Sequence, residues 1–186
     1  MSTIPVRRRD MRRQLTEARL LTAGLEELTE SSDSELTIRG VALRAGVSPA
    51  NAYKYFSSKN SLIAAIYLDL LRNLPPHNDV NISTERRVLA TLNDMAAVVA
   101  GKPALASACA SALIANEVAA EPFRVQIAAE VTERIATSLG PGWPATVHES
   151  VKLAYYGALI AARFERFDQV AAQLGGAIGL ILDTHE

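Results

Sequence analysis

Apolar residues recur at helical spacing from the start of the chain. Between Asp10 and about Leu28 they stand three or four residues apart, which is the spacing of one face of an α-helix. The segment SSDSE at 31–35 interrupts this pattern and predicts a turn. Two short helices, 37–45 and 48–55, are predicted next, with only Gly46 and Val47 between them.

Longer helices are predicted in the rest of the chain. They run over 58–74, from Ser83 or Thr84 to about Ala100, and over 103–117, Pro122–Leu139, 145–164 and 167–182. Capping residues and prolines mark their starts, and glycine and proline mark several ends. No alternating strand pattern is visible, so the predicted fold is all-α with about nine helices, three of them within the first 56 residues. The segment PPHNDVN at 75–81 reads as a linker and divides the chain into a domain at 9–69 and a domain at 82–186.

Composition favours a globular helical protein of a reducing compartment. The 186 residues are 49% hydrophobic and 21% charged, and Cys109 is the single cysteine, so no internal disulfide and no cysteine zinc cluster can form. No apolar run approaches the ~20 residues of a membrane helix, and the N-terminus lacks the apolar core of a signal peptide. These features predict a cytoplasmic protein with no membrane partner.

The net charge of −1 hides an asymmetry along the chain. Residues 1–60 hold ten Lys and Arg against seven acids, and residues 61–186 hold nine against thirteen. A basic end on an acidic body suits a protein that meets phosphates at one end. A solvated N-terminal tail is the other interpretation of the same charges.

A string of helix-ending and helix-starting residues predicts a helix-turn-helix at 37–56. Thr37 is suited to cap the first helix, and Gly46 to adopt the positive φ that ends it. Ala42 is small where the two helices must cross closely. Ser48 is a second candidate cap, and Pro49 occupies the first helical position, where it has no N–H to lose. The second helix is the one expected in the major groove of DNA.

Polar side chains around this second helix are the candidate DNA contacts. Asn51 is suited to adenine, Lys54 to guanine or phosphate, and Ala50 to a base edge or a thymine methyl. Tyrosine and lysine donors nearby suit the DNA backbone. The full group, called the recognition set below, is Thr37, Arg39, Ser48, Pro49, Ala50, Asn51, Tyr53, Lys54, Tyr55 and Lys59. A compact helical hairpin with exposed polar residues is the alternative interpretation.

These residues resemble the TetR/AcrR family of bacterial transcriptional regulators. The match lies in AGVS at 45–48, YKYF at 53–56 and SSKNSL at 57–62, and the resemblance extends over about 9–69. Two residues depart from the family pattern. Gly40 lies inside the first helix of the motif, and Ala52 replaces a larger apolar residue at a position that faces the domain core. Both are expected to loosen the small domain slightly, and an internal glycine costs ~1 kcal/mol relative to alanine.

The resemblance implies a homodimeric repressor. Its last two helices would form the dimer interface, its double-stranded operator would be near-palindromic, and a small-molecule inducer bound to the second domain would release it from DNA. The N-terminal arm, Arg7 to Arg13, would add phosphate or minor-groove contacts. A DNA-binding regulator without a small-molecule effector is the alternative function.

No catalytic constellation is visible in 82–186. His77, His148 and His185 lack metal-ligand spacing, and no G-x-S-x-G motif is present, so the chain is predicted not to be an enzyme and to hold neither a metal nor a cofactor. Cys109 is expected to be a buried apolar filler rather than a redox sensor.

The effector site is predicted from the resemblance. Asn116, Glu117 and Arg163 are polar groups among apolar neighbours that are suited to orient a ligand. The candidate ligand-binding residues, on helices that line the cavity in the resembled family, are Met95, Val99, Leu113, Asn116, Phe123, Ile127, Tyr155, Tyr156 and Leu159. Ordinary core packing or solvent exposure is the alternative for each of them.

Two stripes of small residues near the C-terminus favour close helix packing between subunits. One is formed by the glycines and alanine within 174–182, and the other by Ala154, Gly157, Ala158, Ala161 and Ala162. Packing within one subunit is the alternative.

Overall fold

The computed structural model describes residues 4–30, 36–99, 102–162 and 164–184. Over these ranges the chain forms nine α-helices and no strand, and the all-α prediction is confirmed. The helices are α1 (Ile4–Glu30), α2 (Ile38–Arg44), α3 (Pro49–Ala52), α4 (Lys59–Arg72), α5 (Thr84–Ala97), α6 (Pro103–Ile114), α7 (Glu121–Leu139), α8 (Ala145–Ala161) and α9 (Phe167–Asp183), with a single 3₁₀ turn at Val118–Ala120.

Helix boundaries differ from the predictions by a few residues. The helix predicted over 103–117 ends at Ile114, because Ala115 turns to an extended backbone (ψ 129°) and its carbonyl accepts from the Arg124 guanidinium. Gly140 and Gly142, with φ of 81° and 97°, end α7 as predicted. The turn predicted at 31–35 lies outside the described residues.

The chain packs as two compact units. The first comprises residues 1–70 and 99–127, and the second comprises 71–98 and 128–186, so α4 and α7 contribute residues to both. Each unit is a group of residues that pack on one another, and its bounds do not define a functional domain. The functional division at 9–69 and 82–186 stays a prediction.

In the first unit α1 packs on α2 and α6. Every residue from Ser61 to Leu68 in α4 is buried, so this helix forms the centre of the unit. Gly24 allows α1 to approach it, since a Cβ at this position would lie 2.8 Å from Cδ1 of Ile66. A side chain at Gly24 would therefore require the end of the Ile66 side chain to move.

In the second unit α9 packs on α8 and α5. Arg87 fixes the loop before α5 to the end of α7: Nε donates to the Ser138 carbonyl (2.9 Å), Nη2 to the Leu139 carbonyl (3.1 Å), and Nη1 to the carbonyl of Ile82. The Ser138 and Leu139 carbonyls lie in the last turn of α7, where intrahelical donors run out, and the guanidinium supplies donors to them.

Among the described residues no single helix is long and apolar enough to cross a membrane. Two segments reach the necessary length and hydropathy only when they are taken together, Pro103–Ile114 and Val118–Leu139, and the chain bends by 107° between them.

Candidate nucleic-acid interface

The turn between α2 and α3 is closed by two backbone hydrogen bonds. Val47 N–H donates to the Ala42 carbonyl (2.9 Å) and Gly46 N–H to the Leu43 carbonyl (3.1 Å), which is the Schellman pattern. Gly46 has φ of 63°, so the predicted positive φ is confirmed. Ala42 is completely buried, as the predicted close crossing requires. The angle at which α3 leaves α2 is thus set by backbone geometry.

Arg19, on α1, holds the same turn from outside. Its Nη2 donates to the carbonyl of Ala45 and, at 3.3 Å, to the carbonyl of Gly46. Both acceptors lie where α2 has run out of intrahelical donors. No local sequence signal marks Arg19 for this role, because its two partners are 26 and 27 residues away.

At the start of α2 the Thr37 cap is confirmed. Its hydroxyl oxygen accepts from the Gly40 N–H at 3.0 Å. Gly40 is closely surrounded, since a Cβ there would lie 3.2 Å from Thr37 Oγ1 and 3.3 Å from both carboxylate oxygens of Glu27. The space at position 40 is therefore already taken by the cap and by a carboxylate of α1.

Ser48 occupies the predicted N-cap position of α3, but its side chain does not make the capping hydrogen bond. Ser48 has the extended backbone of a cap residue, but its hydroxyl makes no capping bond. The Asn51 N–H, which such a hydroxyl would cap, already donates to the Ser48 carbonyl at 2.9 Å. Pro49 stands at the first turn as predicted. The exposed Ser48 hydroxyl is thus left for another partner.

The two sides of α3 and the turn after it differ in burial. Ala52 and Phe56 are buried, each 1% exposed, and join the core of the first unit. The position of Ala52 towards the core is as predicted. In the recognition set Thr37, Arg39, Ser48, Pro49, Ala50, Tyr53 and Lys54 are exposed, and Asn51, Tyr55 and Lys59 are half-buried. All ten lie in the first unit between the start of α2 and the start of α4.

The start of α4 is fixed by reciprocal serine bonds. Ser61 N–H donates to Ser58 Oγ (3.1 Å), and Ser58 N–H donates to Ser61 Oγ (3.2 Å), which satisfies two otherwise unpaired donors. Beside it, Asn60 Nδ2 donates to Glu117 Oε2 at 2.6 Å, and the rings of Phe56 and Phe123 are 6.0 Å apart. Glu117 is thus occupied by Asn60, a pairing that the sequence analysis missed.

Several acids surround the guanidinium of Arg44, at the end of α2. Its guanidinium lies 2.7 Å from Glu30 Oε2, and 3.6 Å from both Glu26 Oε2 and Glu27 Oε1. The hydrogen bond from Arg44, and then its charge, lower the pKa of the Glu30 carboxyl. This cluster joins α1 to α2, so the role of Arg44 is structural.

The candidate ligand-binding residues are divided between the units. Val99, Leu113, Asn116, Phe123 and Ile127 lie in the first unit, and Met95, Tyr155, Tyr156 and Leu159 lie in the second. Asn116 is exposed, and Met95, Ile127 and Tyr155 are buried. Burial of the Tyr156 phenol raises its pKa. Arg163 lies outside the described residues. The effector site stays a prediction.

A small apolar cavity lies in the second unit between α5, α8 and α9. It has about 20 Å³ of free volume, and Asn93, Ala158, Tyr155 and Leu159 are among its lining residues. One water requires roughly 10–15 Å³, whereas pockets for small molecules measure roughly 300–1,000 Å³. An effector of ordinary size therefore requires this region to open.

No cluster of metal-ligating side chains is present among the described residues. His77 is paired through Nε2 with Asp94 Oδ2 at 2.7 Å, and Cys109 is buried. His185 lies outside the described residues.

Comparison with known proteins identifies the family. Residues 20–66 match the model of the bacterial regulatory proteins of the tetR family. An HTH-type transcriptional regulator of Mycobacterium tuberculosis is 43% identical over 179 residues, covering 94% of this chain and 84% of the relative.

Two solved structures share the fold. A TetR transcriptional regulator from Rhodococcus sp. RHA1 has a TM-score of 0.76 at 23% identity, over 91% of this chain and 98% of that one. BioQ, solved with its natural double-stranded DNA operator, has a TM-score of 0.61 at 17% identity, over 88% and 98%. The chain therefore belongs to the TetR family and is a DNA-binding transcriptional regulator rather than an enzyme.

Proposed function

We propose that this regulator binds a near-palindromic operator as a homodimer through the recognition set, represses transcription there, and is released by a small molecule. The observation that carries the DNA-contact part is the two-sided burial of α3. Ala52 and Phe56 attach it to the core, while Ser48, Ala50 and Lys54 are exposed behind a turn that Gly46 and Arg19 hold in place. A rigidly mounted helix with an exposed polar face is what major-groove recognition requires.

Selection of binding sites from a random duplex library tests the operator proposal. A homodimer with two recognition helices should recover a near-palindrome whose half-sites are separated by about one helical turn, roughly 10–10.5 bp. Recovery of sequences without two-fold symmetry would contradict the proposal.

Substitution in the recognition set tests which residues read the operator. Replacing Tyr53 and Lys54 together with alanine removes one backbone donor and one base or phosphate contact in each subunit, so we expect operator affinity to fall on the order of 10²-fold or more. Lys102→Ala is the matched control, because Lys102 is also exposed but precedes α6. Unchanged affinity of the double variant in a gel-shift titration would show that α3 is not the recognition helix.

The homodimer is supported by open faces on α8 and α9. A Cβ added at Gly157, Gly175 or Gly176 would meet nothing within 4 Å, so these glycines are not needed for packing within the subunit. Exposed apolar side chains lie on the same helices, with Ile160 62% and Leu180 72% exposed. Apolar side chains beside open glycines suit close packing against a second copy.

Regulation without an effector is a second candidate function, and the small volume of the cavity between α5, α8 and α9 favours it. A free volume of about 20 Å³ holds no metabolite. Release of the operator duplex by a fractionated metabolite extract, followed by mass spectrometry of the protein-bound fraction, separates the two candidates. Ala158→Val, which narrows the cavity with two methyl groups, should abolish release and leave DNA binding intact, whereas Ala97→Val at an exposed position of α5 should change neither. Failure of every fraction to release DNA would favour the effector-free regulator.

A further inference from the structure

The connection between α6 and α7 contacts the helix-turn-helix region at two points. This corner, residues 114–124, lies in the first unit together with the motif. Asn60 Nδ2, at the start of α4, donates to Glu117 Oε2 at 2.6 Å. The rings of Phe56 and Phe123 lie 6.0 Å apart, with their planes inclined by 41°. One polar and one aromatic contact thus join the corner to the chain around the start of α4.

The corner is itself held in place, so Glu117 has a fixed position. The Arg124 guanidinium donates to the Ala115 carbonyl at the end of α6 and pairs with Glu121. Ala120, in the 3₁₀ turn, is completely buried, and its N–H donates to the Glu117 carbonyl at 3.1 Å. These bonds fix the backbone on both sides of the Glu117 side chain, so little conformational entropy is lost when its carboxylate binds a partner.

The residues that the corner contacts are close to the proposed DNA contacts. Phe56 is 1% exposed, and its N–H donates at 3.0 Å to the carbonyl of Ala52, the last residue of α3. Asn60 directly follows Lys59. The corner therefore supports the segment from the end of α3 to the start of α4, which carries Tyr55 and Lys59 of the recognition set.

The bond from Asn60 to Glu117 is suited to fix a position. A hydrogen bond to an ionised carboxylate is shorter and stronger than one between neutral groups, and this bond is partly buried, where solvent screens it less. The carboxylate also lies beside the first turn of α4, where free N–H groups and the helix dipole favour a negative charge. The Asn60 side chain is not needed as a cap, because Ser58 and Ser61 already bond reciprocally.

We infer that Glu117 is a positioning residue for operator recognition, which acts through Asn60 to hold the start of α4 and the end of α3 in register with the DNA. The sequence predicted that Glu117 orients a ligand, and the bond to Asn60 gives its carboxylate a different role. Hydrogen bonds to base edges require accurate placement, whereas attraction to phosphates acts over a longer range and tolerates displacement. Loss of the bond should therefore reduce discrimination between sequences more than general affinity for DNA. The inference rests on the proposed operator binding and deepens it.

The experiment measures the affinity of each protein for a selected operator duplex and for a scrambled duplex of the same length and composition, at about 0.15 M salt. E117A removes the acceptor, N60A removes the donor, and the double variant removes both. E117Q keeps an amide oxygen that accepts from Asn60, but it loses the charge. E133A is the matched control, because it removes a carboxylate from an exposed position of α7. Thermal unfolding verifies that each protein is folded.

We expect E117A and N60A each to lower operator affinity about tenfold, and to leave affinity for the scrambled duplex within about twofold of the unmodified protein. The double variant should lose no more than either single variant, since all three lack the same bond. E117Q should keep most of the preference for the operator, because the bond is retained. E133A should match the unmodified protein on both duplexes.

Three results would overturn the inference. An equal change on both duplexes would show that E117A alters the fold or the charge balance rather than the recognition of bases. A loss in E117Q as large as that in E117A would make the charge responsible, and not the bond. Additive losses in the double variant would show that Glu117 does not act through Asn60.

Failure of the proposed function gives a different result. If the unmodified protein prefers neither duplex, the proposed operator binding fails, and amide hydrogen exchange in the free protein then decides the positioning role. E117A should speed exchange of the Phe56 and Leu62 amides, which donate to the Ala52 and Ser58 carbonyls, and E117Q should not. Unchanged exchange in E117A would overturn the inference.

Discussion

Arg19 shows how one residue links the scaffold to the proposed DNA contacts. It lies on α1, outside the helix-turn-helix, and its guanidinium donates to the carbonyls of Ala45 and Gly46. Hydrogen bonds from a charged donor to the carbonyls at a helix end are worth more than neutral ones. The orientation of α3 therefore depends on a side chain that does not belong to the motif.

Replacing Arg19 with methionine should loosen the turn. Because both bonds are lost while the apolar part of the side chain remains, we expect the free energy of unfolding to fall by about 1 kcal/mol and the Gly46 and Val47 amides to exchange hydrogen faster. Operator affinity should fall several-fold. Arg86→Met, at an exposed position of α5, is the control. Unchanged amide exchange in Arg19→Met would show that the turn closes by itself.

Gly40 yields a second prediction at this scale. Alanine is normally favoured over glycine inside a helix by about 1 kcal/mol, but a Cβ at position 40 would press on Thr37 Oγ1 and on Glu27. We expect Gly40→Ala to be no more stable than the unmodified protein, because the new methyl displaces the cap. In a Thr37→Ala background the same change should become stabilising. A double-mutant cycle measured by urea unfolding decides this, and additive effects would contradict the predicted coupling.

At the scale of elements, α1 and α2 are joined by charge as well as by apolar packing. Arg44 of α2 lies within 4 Å of Glu26, Glu27 and Glu30 of α1. The cluster thus adds a charged contact to the packing between the two helices. This cluster and the Arg19 bonds act at different points along α1, so together they restrict rotation of the helix-turn-helix about it.

The cluster should make stability depend on pH. Arg44 lowers the pKa of Glu30 below its ordinary value of 4.5, so the stabilisation is complete above that value and is lost as the pH falls through the lowered pKa. Glu30→Gln should therefore unfold at a lower temperature than the unmodified protein at pH 7, and the difference should shrink as the pH falls below 4.5. Glu133→Gln, at an exposed position of α7, is the control. A difference that does not vary with pH would rule out the charge of Glu30 as its cause.

At the scale of the whole molecule, the proposed function requires two copies. In the proposed dimer, the open faces of α8 and α9 would supply the surface for the second chain. Linking two recognition helices raises the affinity for two half-sites far above that of one, typically 10²- to 10⁴-fold, because the second contact becomes intramolecular. Dimerisation would therefore decide whether the regulator occupies its operator.

Disrupting the proposed interface should separate the copies and weaken DNA binding together. Ile160→Glu with Leu180→Glu places charges on the open face, so sedimentation should show a monomer and operator affinity should fall on the order of 10²-fold or more. Val80→Glu introduces a charge at a side chain that is 88% exposed in the loop before α5 and should change neither measurement. A double variant that stays dimeric would place the interface elsewhere.

The amino-acid sequence by itself determined the helix order and most of the helix ends. It also determined the position of the helix-turn-helix. These features depend on signals within about four residues, such as the Thr37 cap, the positive φ of Gly46 and the proline at position 49. Capping and turn chemistry act between near neighbours, so a single sequence displays them. The capping bond expected from the Ser48 hydroxyl does not form, because the Asn51 N–H at the start of α3 already donates to the Ser48 carbonyl.

Only the tertiary structure decided which distant residues hold those elements together. Arg19 on the turn, Asn60 with Glu117, and the contact of Phe56 with Phe123 join positions 26 to 67 residues apart. It also showed that Gly157, Gly175 and Gly176 face open space while Gly24 is tightly packed. The local sequence does not distinguish these glycines. Their difference arises from the atoms that the folded chain brings near each of them, which a pattern of neighbouring residues does not contain.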